Sequence, residues 1–200
     1  MASGLSRRYG RNKLLEPLDG RAVILRVADR LSGAGLRPLA VTRSPEVQAL
    51  MAREGIDCVI HDGPLKSDAI RVGLEALTSN HIGYLFMQAD QPLILPESIK
   101  GMVARFRVNP ERAVRLGFDG IAGSPVLFPA LFRKSLLAYT GDRGGLDVLR
   151  REGIPCDVVQ ARHPWELWDM DTPDDFTRIL SVYNNCRRSS QSSDPDGCSL

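Results

Sequence analysis

Three short stretches carry residues whose types and spacing suit phosphate chemistry. The first is "SGLSRRYGRNK", residues 3–13, where Gly4 and Gly10 let the backbone turn its amides towards an anion. Arg7, Arg8, Arg11 and Lys13 add charge that pairs with phosphate oxygens, all before the first acid, Glu16. It is not a Walker A loop, because Lys13 does not directly follow Gly10 and no Ser or Thr comes next, and it is not a GxGxxG dinucleotide loop. A solvated connector has the same composition. The second stretch is "YLFMQADQPLILP", an apolar strand that delivers Asp90 at its C-terminal end, with Pro92 stopping it. Open α/β sheets bind ligands at that end, and Mg²⁺ needs only one or two protein carboxylates beside water and substrate phosphates. The third is "WDMDTPDDF", in which Asp169 and Asp171 lie two apart and face one side of an extended chain. Either is a candidate second ligand beside Asp90, and turn or loop hydrogen bonding is the alternative for all three. Asp174 and Asp175 fall in the first turn of the next helix and complement its dipole.

The remaining polar candidates have plainer readings. His61, His81 and His163 have no partner at ligand or triad spacing and read as surface or hydrogen-bonding residues. Trp165 and Trp168 either line a substrate pocket or pack beneath the carboxylate loop. Cys58, Cys156, Cys186 and Cys198 form no CxxC pair, which points away from a zinc site or a disulfide framework and towards reduced thiols.

Positioning these groups requires a sheet. "RAVILRVADRLSGAG" places Ala22, Leu25, Ala28 and Leu31 on one helical face and ends at glycines. "LRPLAVTR" reads as a strand, and "SPEVQALMAREG" as a helix with Ser44 as N-cap, Pro45 at its first position and Gly55 beyond its end. The alternation repeats in "DCVIHD", "SDAIRVGLEALTSN" with Ser67 as N-cap, and "IGYLFMQ". It continues more loosely through a helix "PESIKGMVARFRVN", strands "RAVRLGF" and "SPVLFP", and helices "PALFRKSLLAY" and "GLDVLRREG". A strand "CDVVQA" and a last helix "TPDDFTRILSVYNN", with Thr172 as N-cap, close it. Such alternation predicts a mostly parallel sheet with helices on both faces, in one domain over residues 1–185. Residues 186–200 are serine-rich and aperiodic, and a disordered tail is expected there.

Composition narrows the partners. A hydrophobic share of 43% and a charged share of 25% are those of a globular protein, and no apolar run approaches the ~18 residues of a membrane span. A net charge of +2 is too small to imply nucleic acid, so the basic start favours a small anion. No apolar signal-like segment precedes the charged residues, and a cytoplasmic location is expected.

Taken together and in order, "ASGLSRRYGRNKLLEPLDG", "ADQPLI" and "DMDTPDD" resemble the AAGxSxRMGxxK loop, the metal-binding GDxP or CDQP turn and the DIDTPED segment of MobA-like nucleotidyltransferases. "SDAIRVGL", "GSPVLFPALF" and "GDRGG" make the molybdenum cofactor cytidylyltransferase branch, with its molybdenum hydroxylase maturation relatives, the nearest likeness. The resemblance spans residues 1–181 and implies a three-layer α/β/α Rossmann-like fold. It implies a Mg²⁺-dependent transfer of CMP from CTP to the phosphate of molybdopterin, with release of pyrophosphate and with a molybdoenzyme apoprotein as a further partner.

On the resemblance, Gly4, Ser6 and Gly10 shape the triphosphate loop, Arg8 holds the departing phosphates, and Lys13 stabilises charge near the α-phosphate. Asp90 carries Mg²⁺ with Asp169 or Asp171. Ser3 lies near the base, where its small size favours CTP, and Ser67 is a base- or ribose-side contact. The alternatives are GTP or another phosphorylated acceptor, or a non-catalytic cofactor-binding maturation factor. Tyr9 stands where the family has Met, and Leu146 where many members have Arg, which implies either a different acceptor or a role for Arg143 in its place. Only Met1 and Ala2 precede Ser3, where family members have an apolar central strand, so the natural chain is expected to start upstream.

Overall fold

The computed structural model describes residues 1–3, 9–77 and 80–191. A short hairpin of β1 (Pro17–Leu18) and β2 (Arg21–Ala22) leads into α1 (Val23–Gly33). Then come β3 (Leu39–Thr42), α2 (Pro45–Arg53), β4 (Asp57–Ile60), α3 (Lys66–Ala76), β5 (Gly83–Phe86) and α4 (Pro96–Val108). The second half holds β6 (Ala113–Phe118), β7 (Ile121–Pro129), α5 (Arg133–Ala138), α6 (Gly145–Arg151), β8 (Cys156–Gln160) and α7 (Pro173–Gln191).

Local signals explain where these elements start and stop. Ser44 Oγ accepts the Val47 amide at 3.2 Å with Pro45 in the first turn of α2, and Gly55 leaves the helix at φ +68°. Asp119 and Gly120 take φ 48° and 77°, a two-residue turn whose twist matches the strands it joins. Ser67 is not the N-cap expected for α3. Leu65 holds that position and Asp68 caps, accepting the Leu65 amide at 2.9 Å, because a longer carboxylate one residue on reaches back where Ser67 points away. α7 runs to Gln191, so residues 187–191, expected in the tail, are helical. Extending an existing helix by a turn costs far less than nucleating one.

The sheet is less uniformly parallel than the alternation predicts. β3 and β4 are parallel and so are β6 and β8, but in the order β5-β7-β6-β8 strand β7 runs antiparallel to both neighbours. The reason is the tight turn at Asp119 and Gly120, which reverses the chain where a parallel pair would need a long crossover. Residues 1–3 lie between the two groups of strands. The Ala2 amide donates to Val41 O at 2.8 Å, and the Ala89 amide donates to Met1 O at 3.0 Å. The opening residues therefore join β3 to the segment after β5, the place of a central strand's end.

Side chains on the strands alternate between two apolar layers. Leu127 packs with Val114, Leu116, Ile99, Met102 and Phe106 on the α4 side. Val126 and Phe128 pack with Ile70, Leu136 and Val148 on the side of α3, α5 and α6. This is the three-layer α/β/α Rossmann-like arrangement expected from the sequence.

Candidate active site

A cleft of about 860 Å³ opens where β3 and β5 end. Ser3, Lys13, Asp90, Asp169 and Asp171 line one part of it, and Arg115, Ser124, Phe128, Arg143 and Leu146 line another.

The carboxylates are held by backbone bonds between distant segments. The Met170 amide donates to Asp90 O at 3.0 Å, which puts Asp169 and Asp171 on either side of a residue tied to Asp90. Behind them, Glu166 is fully buried and accepts the amides of Leu95 at 3.0 Å, Arg162 at 2.7 Å and His163 at 3.2 Å. One carboxylate thus fastens the chain after Asp90 to the chain before Asp169. Asp175 does a similar job from α7: its Oδ2 accepts the amides of Asp171 at 3.1 Å and Thr172 at 2.9 Å, while Thr172 Oγ1 caps the helix. Burial works to raise the Asp175 pKa, but the Thr172 hydroxyl, which donates to Oδ2 at 2.8 Å, and the two amides outweigh it and hold the pKa below the ordinary value. Asp175 therefore does more than complement a dipole.

Lys13 supplies the positive counterpart. It sits in a 3-10 turn, Lys13–Leu15, whose start is fixed by Asn12 Oδ1 accepting the Leu14 amide at 3.2 Å. Its buried ammonium lies 2.6 Å from Asp90 Oδ2 and 2.9 Å from Asp171 Oδ1. Burial works against that charge, but the Asp90 and Asp171 carboxylates outweigh it and raise the Lys13 pKa. Asp169 has the opposite problem. Loss of hydration on its protein side and then the nearby Asp90 charge raise its pKa, although its carboxylate remains open to solvent and the Gln91 amide opposes the rise. Gly10 takes φ +80°, a conformation that suits glycine. Gly4, Ser6 and Arg8 lie outside the described residues.

Ser3 is set between two strand ends. Arg43, just past β3, donates to Ser3 O through Nε at 3.1 Å and Nη2 at 2.6 Å, and His61, just past β4, places Nε2 2.6 Å from Ser3 Oγ. His61 is buried, and burial followed by the Arg43 charge keeps its pKa below the ordinary value. The reading of His61 as a hydrogen-bonding residue holds. Arg43 was not singled out from the sequence, although its place directly after a strand is where ligands bind in such sheets.

Ser67 does not line the cleft. It is buried, its Oγ accepts the Gly141 amide at 3.2 Å and its own amide donates to Gly141 O at 3.1 Å. With the Lys66 amide donating to Asp142 Oδ1 at 3.3 Å, it bolts the "GDRGG" loop to α3. Trp165 and Trp168 pack with Leu18, Leu93, Met170 and Ile179 beneath the carboxylate segment. Glu166 and Arg115 were also missed. The spacing from His163 to Glu166 is that of a capping box, and an arginine inside the apolar "AVRLGF" is a polar residue at an inward position.

The α/β/α fold is one shared with solved nucleotidyltransferases. A nucleotidyl transferase from Methanothermobacter has the same fold, with a TM-score of 0.77 at 23% identity over 92% of this chain and 95% of that one. The chain belongs to the MobA-like NTP transferase domain family, whose model matches residues 1–157. That stretch holds Ser3, Lys13, Asp90 and Arg115. Relatives include the purine catabolism protein PucB of Bacillus subtilis, 25% identical over 197 residues that cover 90% of this chain and 93% of PucB. Another is a probable molybdenum cofactor guanylyltransferase of Pyrococcus horikoshii, 28% identical over 107 residues, 53% of this chain and 54% of that protein.

Proposed function

We propose that this nucleotidyltransferase moves CMP from CTP to the phosphate of a molybdopterin-type acceptor and releases pyrophosphate. The observation that carries the reading is the Lys13 ammonium held between Asp90 and Asp171 in the cleft. In this reaction an acceptor phosphate oxygen bonds to the α-phosphorus as the bond to the β-phosphate breaks, and pyrophosphate leaves with the electron pair. Such chemistry needs in-line placement and neutralised charge more than covalent help.

The residues present fit a divalent cation. Asp90 and Asp169 are neighbouring like charges whose repulsion contributes to the raised Asp169 pKa, and a cation between them relieves it. Among the described residues no group of three or more Asp, Glu, His or Cys forms a cage. Two carboxylates with water and phosphates are the donor set that Mg²⁺ prefers. When bound, Mg²⁺ neutralises the phosphate oxygens. Asp90 and Asp169 would hold it, Asp171 would keep Lys13 in place, and Lys13 would stabilise charge at the α-phosphate. Arg8 is assigned to the departing phosphates, Gly4, Ser6 and Gly10 to the loop around them, and Ser3 to the base side.

CTP is favoured because Ser3 is small and fixed at the base end, its backbone carbonyl held by Arg43 and its hydroxyl by His61. GTP is the second reading, favoured by the relation to a guanylyltransferase. The reaction is assigned to the cytoplasm; no helix among the described residues is long and apolar enough to cross a membrane. A thermal-shift panel of four nucleoside triphosphates, each with and without Mg²⁺, tests the reading, because a ligand of the native state raises its apparent stability. The largest shift is expected with CTP and Mg²⁺. A larger shift with GTP transfers the assignment to GTP, and no shift with any nucleotide overturns the transferase reading.

A further inference from the structure

Arg115 sits in β6 on the face that looks towards α3 and α6, opposite Val126 of β7. It is half-buried and lines the same cleft as Lys13. Its guanidinium is held by carbonyls alone: Nε donates to Gly123 O at 3.1 Å and Nη2 to Ala122 O at 2.7 Å. Among the described residues no carboxylate pairs with it, whereas Arg105 and Arg112 both reach Asp157, at 2.6 and 2.7 Å. The groups whose charge acts on it are the Cys156 thiol and Arg150, and no carboxylate is among them. Two carbonyls fix the plane of the guanidinium and leave Nη1 uncommitted.

The wall beside it is apolar. Phe86 and Phe128 meet edge to face at 5.7 Å, and Val126 and Leu146 continue the surface. A Cβ on Gly145 would come within 2.7 Å of the Phe128 ring, so α6 starts pressed against this wall. A cation partly withdrawn from water, aimed and without a counter-charge, is completed by an anion, and the adjacent apolar surface selects one carried on a ring or other apolar body.

We propose that Arg115 recognises an anionic group of the acceptor, an organic phosphate with a planar apolar body, and so sets acceptor specificity. The inference rests on the transferase reading for calling this ligand the acceptor, but not for the anion site itself.

The test uses 1-naphthyl phosphate as the probe, titrated calorimetrically into the whole chain without nucleotide, with Mg²⁺-CTP titrated separately into each variant. The wild-type protein is expected to bind the probe more tightly than it binds 1-naphthol or inorganic phosphate. Arg115→Gln is expected to weaken the probe about 10- to 100-fold, the loss typical of a charge-assisted hydrogen bond, with Arg115→Lys intermediate and Mg²⁺-CTP binding unchanged. Arg150→Gln removes the same charge nearby and should leave probe binding unchanged, which separates direct contact from a general field. The inference is overturned if the probe does not bind, if Arg115→Gln leaves its affinity unaltered, or if 1-naphthol binds equally well. If Mg²⁺-CTP fails to bind while the probe still depends on Arg115, the CTP assignment fails and the anion site stands; if none of the four nucleoside triphosphates binds, the transferase reading fails and the anion site still stands.

Discussion

At one end of the cleft the Lys13 ammonium is satisfied by two carboxylates, each in a segment fixed by buried hydrogen bonds. Elsewhere in the cleft, the Arg115 guanidinium is held, among the described residues, only by carbonyls beside an apolar wall. On the proposed function, the first part is preorganised for the triphosphate and a divalent cation. The second keeps a charge in reserve for whatever the particular acceptor brings. The difference teaches that reaction and specificity are built from different materials in one cavity: hydrogen-bonded carboxylates for the invariant step, and packing with one aimed cation for the variable one.

The largest effect is expected at the carboxylates around Lys13. Asp90→Asn is expected to lower pyrophosphate release about 10³-fold, the scale on which loss of a key electrostatic group acts, while far-ultraviolet circular dichroism stays native. Next in size is Glu166→Ala, which leaves the buried Leu95 amide and the part-buried amides of Arg162 and His163 without this acceptor. It should cost about 3 kcal/mol or more, measured by urea unfolding, and should lower activity without touching substrate.

Asp169→Asn sharpens the contrast with Asp171. The folded-state pKa of Asp169 is raised above 3.8, so its contribution favours the folded state at low pH and is lost as pH rises through the folded value. At pH 7 the variant without metal should therefore melt slightly higher than wild type, and the gain should vanish as pH falls through the carboxylate range. Its Mg²⁺-induced shift should shrink. The smallest effect is expected at His61, whose folded pKa is depressed below 6.5. The unfolded chain takes up more protons as pH falls through 6.5, and stability is lost there. His61→Gln should flatten that part of the melting-temperature profile.

Much of the charged end was legible in the sequence, because Lys13, Asp90, Asp169 and Asp171 sit in stretches whose local pattern announces a turn after a strand. Their convergence was not legible: Lys13 and Asp171 are 158 residues apart and meet only through the sheet. Ser67 misled because a serine before an apolar run is a good cap signal, while the structure gives capping to Asp68 and the serine hydroxyl to Gly141. The direction of β7 was hidden for a similar reason. Hydrophobic periodicity marks a strand but not its sense, and the Asp119 and Gly120 dipeptide that decides it is a two-residue signal. Glu166, Arg43 and Arg115 stand in segments that read as ordinary loop or strand, and their roles appear only when partners from other elements surround them.

The central claim, that the Lys13 and Asp90 end of the cleft performs nucleotidyl transfer, is tested most directly by measuring pyrophosphate release from CTP with molybdopterin and Mg²⁺ in the wild-type chain and in Asp90→Asn. The account predicts release that requires both CTP and acceptor and is lost in the variant. Tight nucleotide binding without release in the wild type, or release that survives Asp90→Asn, would contradict it.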